Sequence, residues 1–193
     1  MRVQEAAAVH DWWQLMVDLY QQPGIAGYSL YCQQQMQLSV TTMLTVILLG
    51  THGQGAIRPT PAAALAAETE AWQADVLRPL RRARNGIKRH LSGVGSSDTA
   101  LAALRQEILE QELAAERLEQ RVVLRHAGAT GAMVPASDPL ADAACGLARY
   151  LLARACSPDL TARQALCMLL SAALPDYDGL HLSRVFDLAL RVG

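Results

Sequence analysis

Hydrophobic residues recur every three or four positions along most of this chain, and that spacing predicts amphipathic helices. The first pattern predicts a helix over residues 6–21, which Pro23-Gly24 ends. A second, shorter helix is predicted over residues 25–35. The apolar positions of the first helix are Val9, Trp12, Trp13, Met16, Leu19 and Tyr20.

Residues 39–50 follow a different pattern, because they are apolar on nearly every side. A helix of this kind is normally central and buried. The hydroxyl of Ser39 is suited to cap its first turn, and Gly50 is suited to end it. We therefore predict one buried central helix near residues 39–50.

The stretch 68–91 starts acidic, passes through Pro79 and ends in a dense basic cluster. Trp72, Val76 and Leu80 recur at a helical interval, which predicts that they form the buried face of a helix. Thr60-Pro61 is a favourable start for this helix. Pro79 cannot donate a backbone hydrogen bond, so it should kink the helix or split it in two.

One long helix is predicted over residues 98–126, after a glycine- and serine-rich linker at 92–97, with Ser97 or Asp98 as its cap. Its apolar residues approximate a heptad pattern, but none of its glutamates lies three or four residues from an arginine. The charges are therefore either solvated or paired with another element or another chain. The apolar residues are Leu101, Leu104, Ile108, Ala115, Leu118 and Val122, and the glutamates are Glu107, Glu110, Glu112, Glu116 and Glu119.

Further helices are predicted after the small-residue loop 127–137. They start at Asp138-Pro139, at the capping box Thr161-x-x-Gln164 and near residue 180. The whole pattern predicts an all-α fold, an irregular bundle of about seven or eight helices. Residues 1–126 would form a helical core domain. Residues 138–193 would form a C-terminal extension that either packs on the same core or makes a small subdomain.

Charge and hydropathy exclude some classes of function. The formal net charge is −1, so no global field favours nucleic acid or a membrane surface. The longest strongly apolar run, residues 40–49, is too short to span a bilayer. With no secretory signal pattern at the N-terminus, we expect a cytoplasmic protein that does not bind membranes.

Patterns typical of catalysis or metal binding are not found. The cysteines and histidines do not have metal-ligand spacing, and the glycine-rich loop 50–55 does not have a phosphate-loop order. Cys32 could pair with His10 or His52 as nucleophile and base, but a buried, reduced thiol is favoured. We expect no metal or cofactor and a protein that is not an enzyme. The cysteines, all predicted to be buried, are Cys32, Cys145, Cys156 and Cys167.

The basic cluster at residues 78–89 is the best candidate site for an anion or a partner. It could bind phosphate, nucleic acid or an acidic protein face, or it could be a solvated surface that balances the acidic long helix. Single-strand binders interleave basic and aromatic residues, and this cluster does not, so nucleic acid is not favoured. The cluster consists of Arg78, Arg81, Arg82, Arg84, Lys88 and Arg89.

Three motifs together resemble a known bacterial family. They are Leu19-Tyr20-x-x-Pro23-Gly24, the buried helix ending in Leu48-Leu49-Gly50, and Trp72-x-x-x-Val76-x-x-Pro79-Leu80-Arg81-x-x-Arg84. Over about residues 12–90, the chain resembles a family of small helical proteins, found mostly in proteobacteria and known only as a domain of unknown function. The family usually has Asp and Asn just before the buried helix, where this chain has Ser39 and Thr41. The resemblance implies an all-helical, cytoplasmic protein and no particular reaction.

These observations favour a protein–protein interaction or adaptor module of a regulatory kind. The partner could be another protein or a second copy of the chain, bound through the helix at 98–126. The alternative is binding of an anionic ligand or nucleic acid through residues 78–89. A third class is an enzyme or small-molecule pocket inside the bundle, which convergent titratable groups in a polar pocket would favour.

Overall fold

The structure, a computed structural model, describes residues 11–93 and 98–192. Most of these residues are in helices. The all-α prediction is confirmed, and within these ranges the only β pairing is the bridge between Ile57 and Met133. The α-helices are α1 (Trp12–Tyr20), α2 (Ile25–Met36), α3 (Val40–Thr51), α4 (Pro59–Trp72), α5 (Arg78–Gly93), α6 (Thr99–Gly128), α7 (Pro139–Ala153), α8 (Leu160–Ala173) and α9 (Gly179–Val192). The predicted start of the first helix and residues 94–97 of the predicted linker 92–97 lie outside the described residues, whereas residues 92 and 93 belong to α5.

Helix α3 lies at the centre, as predicted, with every residue from Thr41 to Gly50 buried. It packs closely on α7, because a Cβ atom at Gly50 would lie 2.3 Å from the backbone nitrogen of Ala143. The prediction that Gly50 ends the helix is wrong, since α3 continues to Thr51. Gly50 instead allows two helix backbones to approach each other.

The segment around Pro79 is a continuous helix with one wider turn. A π-helical turn, Gln73–Leu77, joins α4 to α5, and the N–H of Arg78 donates to the carbonyl of Gln73, five residues back. Proline cannot donate the α-helical bond to the carbonyl four residues earlier, and its ring would collide with that carbonyl. The extra residue in a π turn accommodates this defect, so Pro79 neither splits the helix nor ends it.

The buried face of this helix differs from the predicted one. Trp72 is only half-buried, and its Nε1 atom donates to the carbonyl of Ala115 at 3.1 Å. Leu65, Thr69, Gln73 and Leu77 face the core instead. The hydropathy pattern did not indicate this face, because two of its members are polar. They can be buried because they are hydrogen-bonded; for example, the hydroxyl of Thr69 donates to the carbonyl of Leu65 at 2.9 Å.

The buried face of α6 also differs from the predicted heptad face. Leu104 and Leu118 are 44% and 46% exposed, whereas Glu112, Glu119 and Gln120 are buried. Groups from other helices satisfy these buried side chains. For example, the side-chain amide nitrogen of Gln120 donates to the backbone carbonyl of Trp12 at 2.8 Å. The helix therefore turns a polar stripe inward.

Aspartate and serine side chains cap most helices, which fixes where they begin. Ser39 and Asp138 cap α3 and α7 as predicted, and Asp98 caps α6. Two predicted starts are wrong. The N-cap of α8 is Asp159 and not Thr161, and α4 begins at Pro59, one residue before Thr60.

The C-terminal helices share a core with the N-terminal ones. Leu147 and Leu151 of α7, Leu166 and Leu169 of α8 and Phe186 of α9 belong to the same buried cluster as α3. Helix α8 packs on α2 and α9 packs on α7. Helices α1, α2, α3, α5 and α6 contribute residues to the lining of a common pocket.

Candidate functional site

Two arginines of α5 and two glutamates of α6 form an ion-pair cluster between these helices. Nε of Arg81 donates to Glu112 at 3.0 Å and its Nη2 donates to Glu116 at 2.6 Å. Nε of Arg84 donates to the second carboxylate oxygen of Glu112 at 2.6 Å. These glutamates are therefore paired with another element, which was one of the two predicted alternatives.

Gln73 in the π turn extends the cluster into the core. Its amide oxygen accepts from Nη1 of Arg81 at 3.1 Å, and its amide nitrogen donates to both oxygens of Glu119, at 2.9 and 3.0 Å. In a regular α-helix, residues eight apart differ by roughly 80° around the axis. The extra residue of the π turn brings Gln73 and Arg81 back onto one face, so the distortion at Pro79 aligns the cluster.

Glu119 is fully buried, and burial is the main reason why its pKa rises from 4.5 to about 7. Hydrogen bonds from Gln73 and Ser39 oppose this rise, and the charge of Glu116 adds to it. The hydroxyl of Thr42 also lies 3.4 Å from the carboxylate.

Burial and the neighbouring charges shift the pKa values of Arg81 and Glu116 in opposite directions. Burial raises the pKa of Glu116, whereas Arg81 lowers it, and the net direction is upward. Burial alone would lower the pKa of Arg81, but its bonds to Glu116 and Glu112 raise it overall. Each of the two side chains supplies the counter-ion of the other.

A pocket of about 360 Å³ lies directly against this cluster. One wall carries the side chains of Arg81, Arg84, Glu112 and Glu116. The residues that α1 and α3 contribute are mainly apolar and aromatic, whereas α2 contributes one leucine and two glutamines. Burial raises the pKa of Tyr20 in this lining, and the charge of Glu116 raises it further. The full lining is Trp13, Met16, Val17, Tyr20, Leu30, Gln33, Gln34, Val40, Thr41, Leu44, Arg81, Arg84, Asn85, Glu112, Leu113 and Glu116.

The structure separates the six residues of the predicted basic cluster. Arg81 and Arg84 line the pocket, while Arg78 pairs with Glu70 outside it. Glu70 also accepts from Arg154, the residue that follows α7, at 2.7 Å. The remaining members, Arg82, Lys88 and Arg89, are exposed on α5. The cluster is therefore not one continuous surface, and its role as an anion or partner contact stays a prediction.

The cysteines and the acidic residues give no further site. Cys32 is buried, and burial raises its pKa to about 12, which disfavours the thiolate nucleophile. The prediction of four buried cysteines is wrong, since Cys145, Cys156 and Cys167 are partly exposed free thiols. Within residues 11–93 and 98–192, no group of three or more potential ligands could hold a metal ion. No described helix is long and apolar enough to cross a membrane.

The sequence analysis did not identify the pocket or the buried polar contacts that extend the ion-pair cluster, which involve Gln73, Glu119 and Thr42. The only signal was that Glu112, Glu116 and Glu119 had no arginine at helical spacing. That pattern indicated partners on another element but did not identify them. Gln73 had no such signal, because its position follows from the π turn.

Comparison with known proteins identifies a family and no activity. A family described as "Protein of unknown function (DUF2390)" matches residues 11–123, more than half of the chain. The predicted resemblance to a domain of unknown function is therefore confirmed, and the match extends beyond residue 90 through most of α6. The pocket lining falls entirely within the matched residues. No curated protein and no solved structure matches the chain.

Proposed function

The chain belongs to the DUF2390 family, and we propose that it binds a small organic molecule in the pocket between α1, α2, α3, α5 and α6. The observation that carries this proposal is the combination of an apolar and aromatic surface with convergent ionised groups. Its volume of about 360 Å³ falls in the usual range of ligand pockets, roughly 300–1,000 Å³. Of the three classes that the sequence left open, this geometry favours the third.

Binding is a better proposal than catalysis for this pocket. The glutamates that line it are engaged in ion pairs, and Cys32, the only nucleophile weighed from the sequence, has a raised pKa and does not line the pocket. A general base must reach the proton that it abstracts and be free to take it. The paired carboxylates are instead suited to orient a bound polar group.

Small molecules that remain bound to the natively purified protein test this proposal. They would be released by denaturation and identified by mass spectrometry. Leu113→Trp should abolish the bound species, because Leu113 is a pocket residue that is 44% exposed, and a larger ring there would fill the pocket. Leu104→Trp is the matched control, since Leu104 is equally exposed on the same helix but outside the pocket. Equal ligand content in both variants would contradict the proposal.

Protein binding is the second candidate function, favoured by the exposed leucines of α6. Leu104 and Leu118 are fourteen residues apart, close to four turns, so they lie on the same side of the helix. Replacement of both by Glu should disrupt an oligomer or complex that uses this face, which light scattering would detect. If the wild-type protein forms an assembly and the double variant has the same mass, this face is not the interface.

Anion or nucleic acid binding through residues 78–89 receives less support. Arg81 and Arg84 are already neutralised by carboxylates, and an anion would have to displace them. Exposed residues such as Arg82 and Arg89 would then carry the binding, with strong salt dependence.

A further inference from the structure

The charges that line the pocket are balanced. Arg81 and Arg84 contribute two positive charges, and Glu112 and Glu116 contribute two negative ones. Behind them, Glu119 adds at most one further negative charge. The exposed guanidinium of Arg117 lies 5.0 Å from the centre of the Trp13 ring, where solvent screens it. An anionic ligand would therefore be left without a counter-ion, which is costly. A cationic ligand would have a counter-ion only while Glu119 is ionised.

The polar wall nevertheless retains hydrogen-bonding capacity. Oε1 of Glu116 accepts from Arg81, but no bond to its Oε2 comes from residues 11–93 or 98–192. Arg84 uses Nε and Nη2 to bind Glu112, and over the same described ranges its Nη1 has no acceptor. One acceptor on a carboxylate and one donor on a guanidinium thus remain at opposite ends of a single chain of ion pairs, Arg84–Glu112–Arg81–Glu116.

The apolar part of the lining fits a hydrocarbon or ring of moderate size, and the uncharged polar residues of the lining are Gln33, Gln34, Thr41 and Asn85. Met16 and Leu44 are buried beneath the pocket, and Trp13, Tyr20 and Val40 are half-buried around it. Aromatic and aliphatic side chains together favour a hydrocarbon or ring on the ligand, since burying it removes apolar surface from water.

We infer that the ligand is a small zwitterion with an apolar body, that is, a molecule of the amino-acid class with a large apolar side chain. Its ammonium group would donate to Glu116, and its carboxylate would accept from Arg84. Its apolar side chain would lie against Trp13, Met16 and Leu44. Every charge is then compensated without breaking the existing ion pairs. This inference rests on the proposed function, because it specifies the ligand of the same pocket.

Four probes that share a phenyl group and differ in charge test the inference. They are phenylalanine (zwitterion), phenethylamine (cation), hydrocinnamate (anion) and phenylpropanol (neutral). Each is titrated into the full chain at neutral pH, and affinity is measured by calorimetry and by ligand-observed NMR. We expect phenylalanine to bind at least about tenfold more tightly than the other three, since each of them lacks at least one charge-assisted hydrogen bond.

Substitutions then assign the preference to named groups. Glu116→Gln should reduce phenylalanine affinity by about tenfold and leave phenylpropanol affinity unchanged, since it removes one charge-assisted bond. Glu110→Gln is the matched control, because Glu110 is exposed on the same helix outside the pocket. The unfolding temperature of each variant is measured in parallel. If Glu116→Gln does not fold, the wild-type ranking of the four probes remains a sufficient test.

The outcomes separate the inference from the proposed function. Binding of the amine, the acid or the alcohol as tightly as phenylalanine would overturn the zwitterion inference and leave the pocket as a ligand site. Loss of phenylalanine binding in Glu110→Gln to the same extent as in Glu116→Gln would also overturn it. If none of the four probes binds and no other molecule co-purifies, both the proposed ligand binding and the zwitterion inference are contradicted. If a different molecule co-purifies and is lost in Leu113→Trp, only the zwitterion inference fails.

Discussion

Two helix pairs in this protein are held together in opposite ways. Helices α3 and α7 meet through small and apolar residues, so closely that a single methyl group at Gly50 would collide with the backbone of Ala143. Helices α5 and α6 meet through arginines and glutamates. Close packing stabilises the interface between α3 and α7, which tolerates no added side-chain volume. The second depends on charge complementarity and borders the pocket, so it combines stability with recognition.

The most direct way to break the comparison is to reverse the charges on α5. Arg81→Glu with Arg84→Glu would place like charges beside Glu112 and Glu116, which are largely buried. Breaking a buried ion pair typically costs about 3–5 kcal/mol. We expect a loss of at least this size in the free energy of unfolding, measured by urea denaturation.

The complementary reversal provides the control. Glu112→Arg with Glu116→Arg, added to the first two changes, should restore part of the lost stability because the pairs form again with opposite polarity. Arg82→Glu with Arg89→Glu, on the exposed surface of the same helix, should change stability little. A double reversal at residues 81 and 84 that leaves stability unchanged would show that the ion pairs do not hold α5 on α6.

The apolar interface should respond to volume and not to charge. Gly50→Ala would force α3 and α7 apart, and overpacking of this kind costs about 1–3 kcal/mol. Gly27→Ala is the control, because a Cβ there meets no atom within 4 Å and alanine favours the helix. We therefore expect a lower unfolding temperature for the first variant and an equal or higher one for the second. The opposite order would show that the close approach of α3 and α7 is not required.

A rise in pH should lower the stability of the protein through Glu119, which lies on the polar side of the molecule. The pKa of Glu119 is raised in the folded protein, from 4.5 to about 7, so the folded state holds its proton more tightly than the unfolded state does. The contribution of Glu119 to the free energy of unfolding is therefore largest below pH 4.5, its pKa in the unfolded state, and is lost as the pH rises through its folded-state pKa of about 7. The expected loss between pH 5 and pH 7 is on the order of 2 kcal/mol.

Glu119→Gln removes this titration while keeping an amide oxygen to accept from Gln73. Denaturation curves across this pH range should then show a flatter dependence than in the wild type. A wild-type stability that rises over the same interval would contradict the expected direction.

The smallest effect is expected at Trp72, which lies beside the polar interface. It is half-buried and bonded to the carbonyl of Ala115, so Trp72→Ala should cost roughly 1–2 kcal/mol, below the 3–5 expected for a fully buried tryptophan. Trp72→Phe retains most of the ring and lacks the donor, so it should cost less. An effect of Trp72→Ala as large as that of the charge reversal would mean that Trp72 carries more of the α4–α6 contact than its exposure indicates.

Hydropathy identified the apolar half of the structure well. The central helix at 39–50 was predicted because almost all of its residues are apolar, a property that does not depend on neighbours. The long helix and the cap Asp138 were predicted for the same reason, since helical propensity and capping act over a few residues. The close contact at Gly50 was not predicted, because a glycine after an apolar run is also typical of a helix end.

The sequence by itself determined the helical class, the central position of α3 and the need for an external partner for the glutamates of α6. Only the tertiary structure decided which residues those partners are. Gln73 lies 46 residues from Glu119, and Thr42 lies 77 residues from it. A polar residue is buried only where a partner compensates the loss of water, and that partner comes from a distant part of the chain. For this reason the inward faces of α4 and α6, and the pocket beside the ion pairs of α5 and α6, could be identified only from the folded molecule.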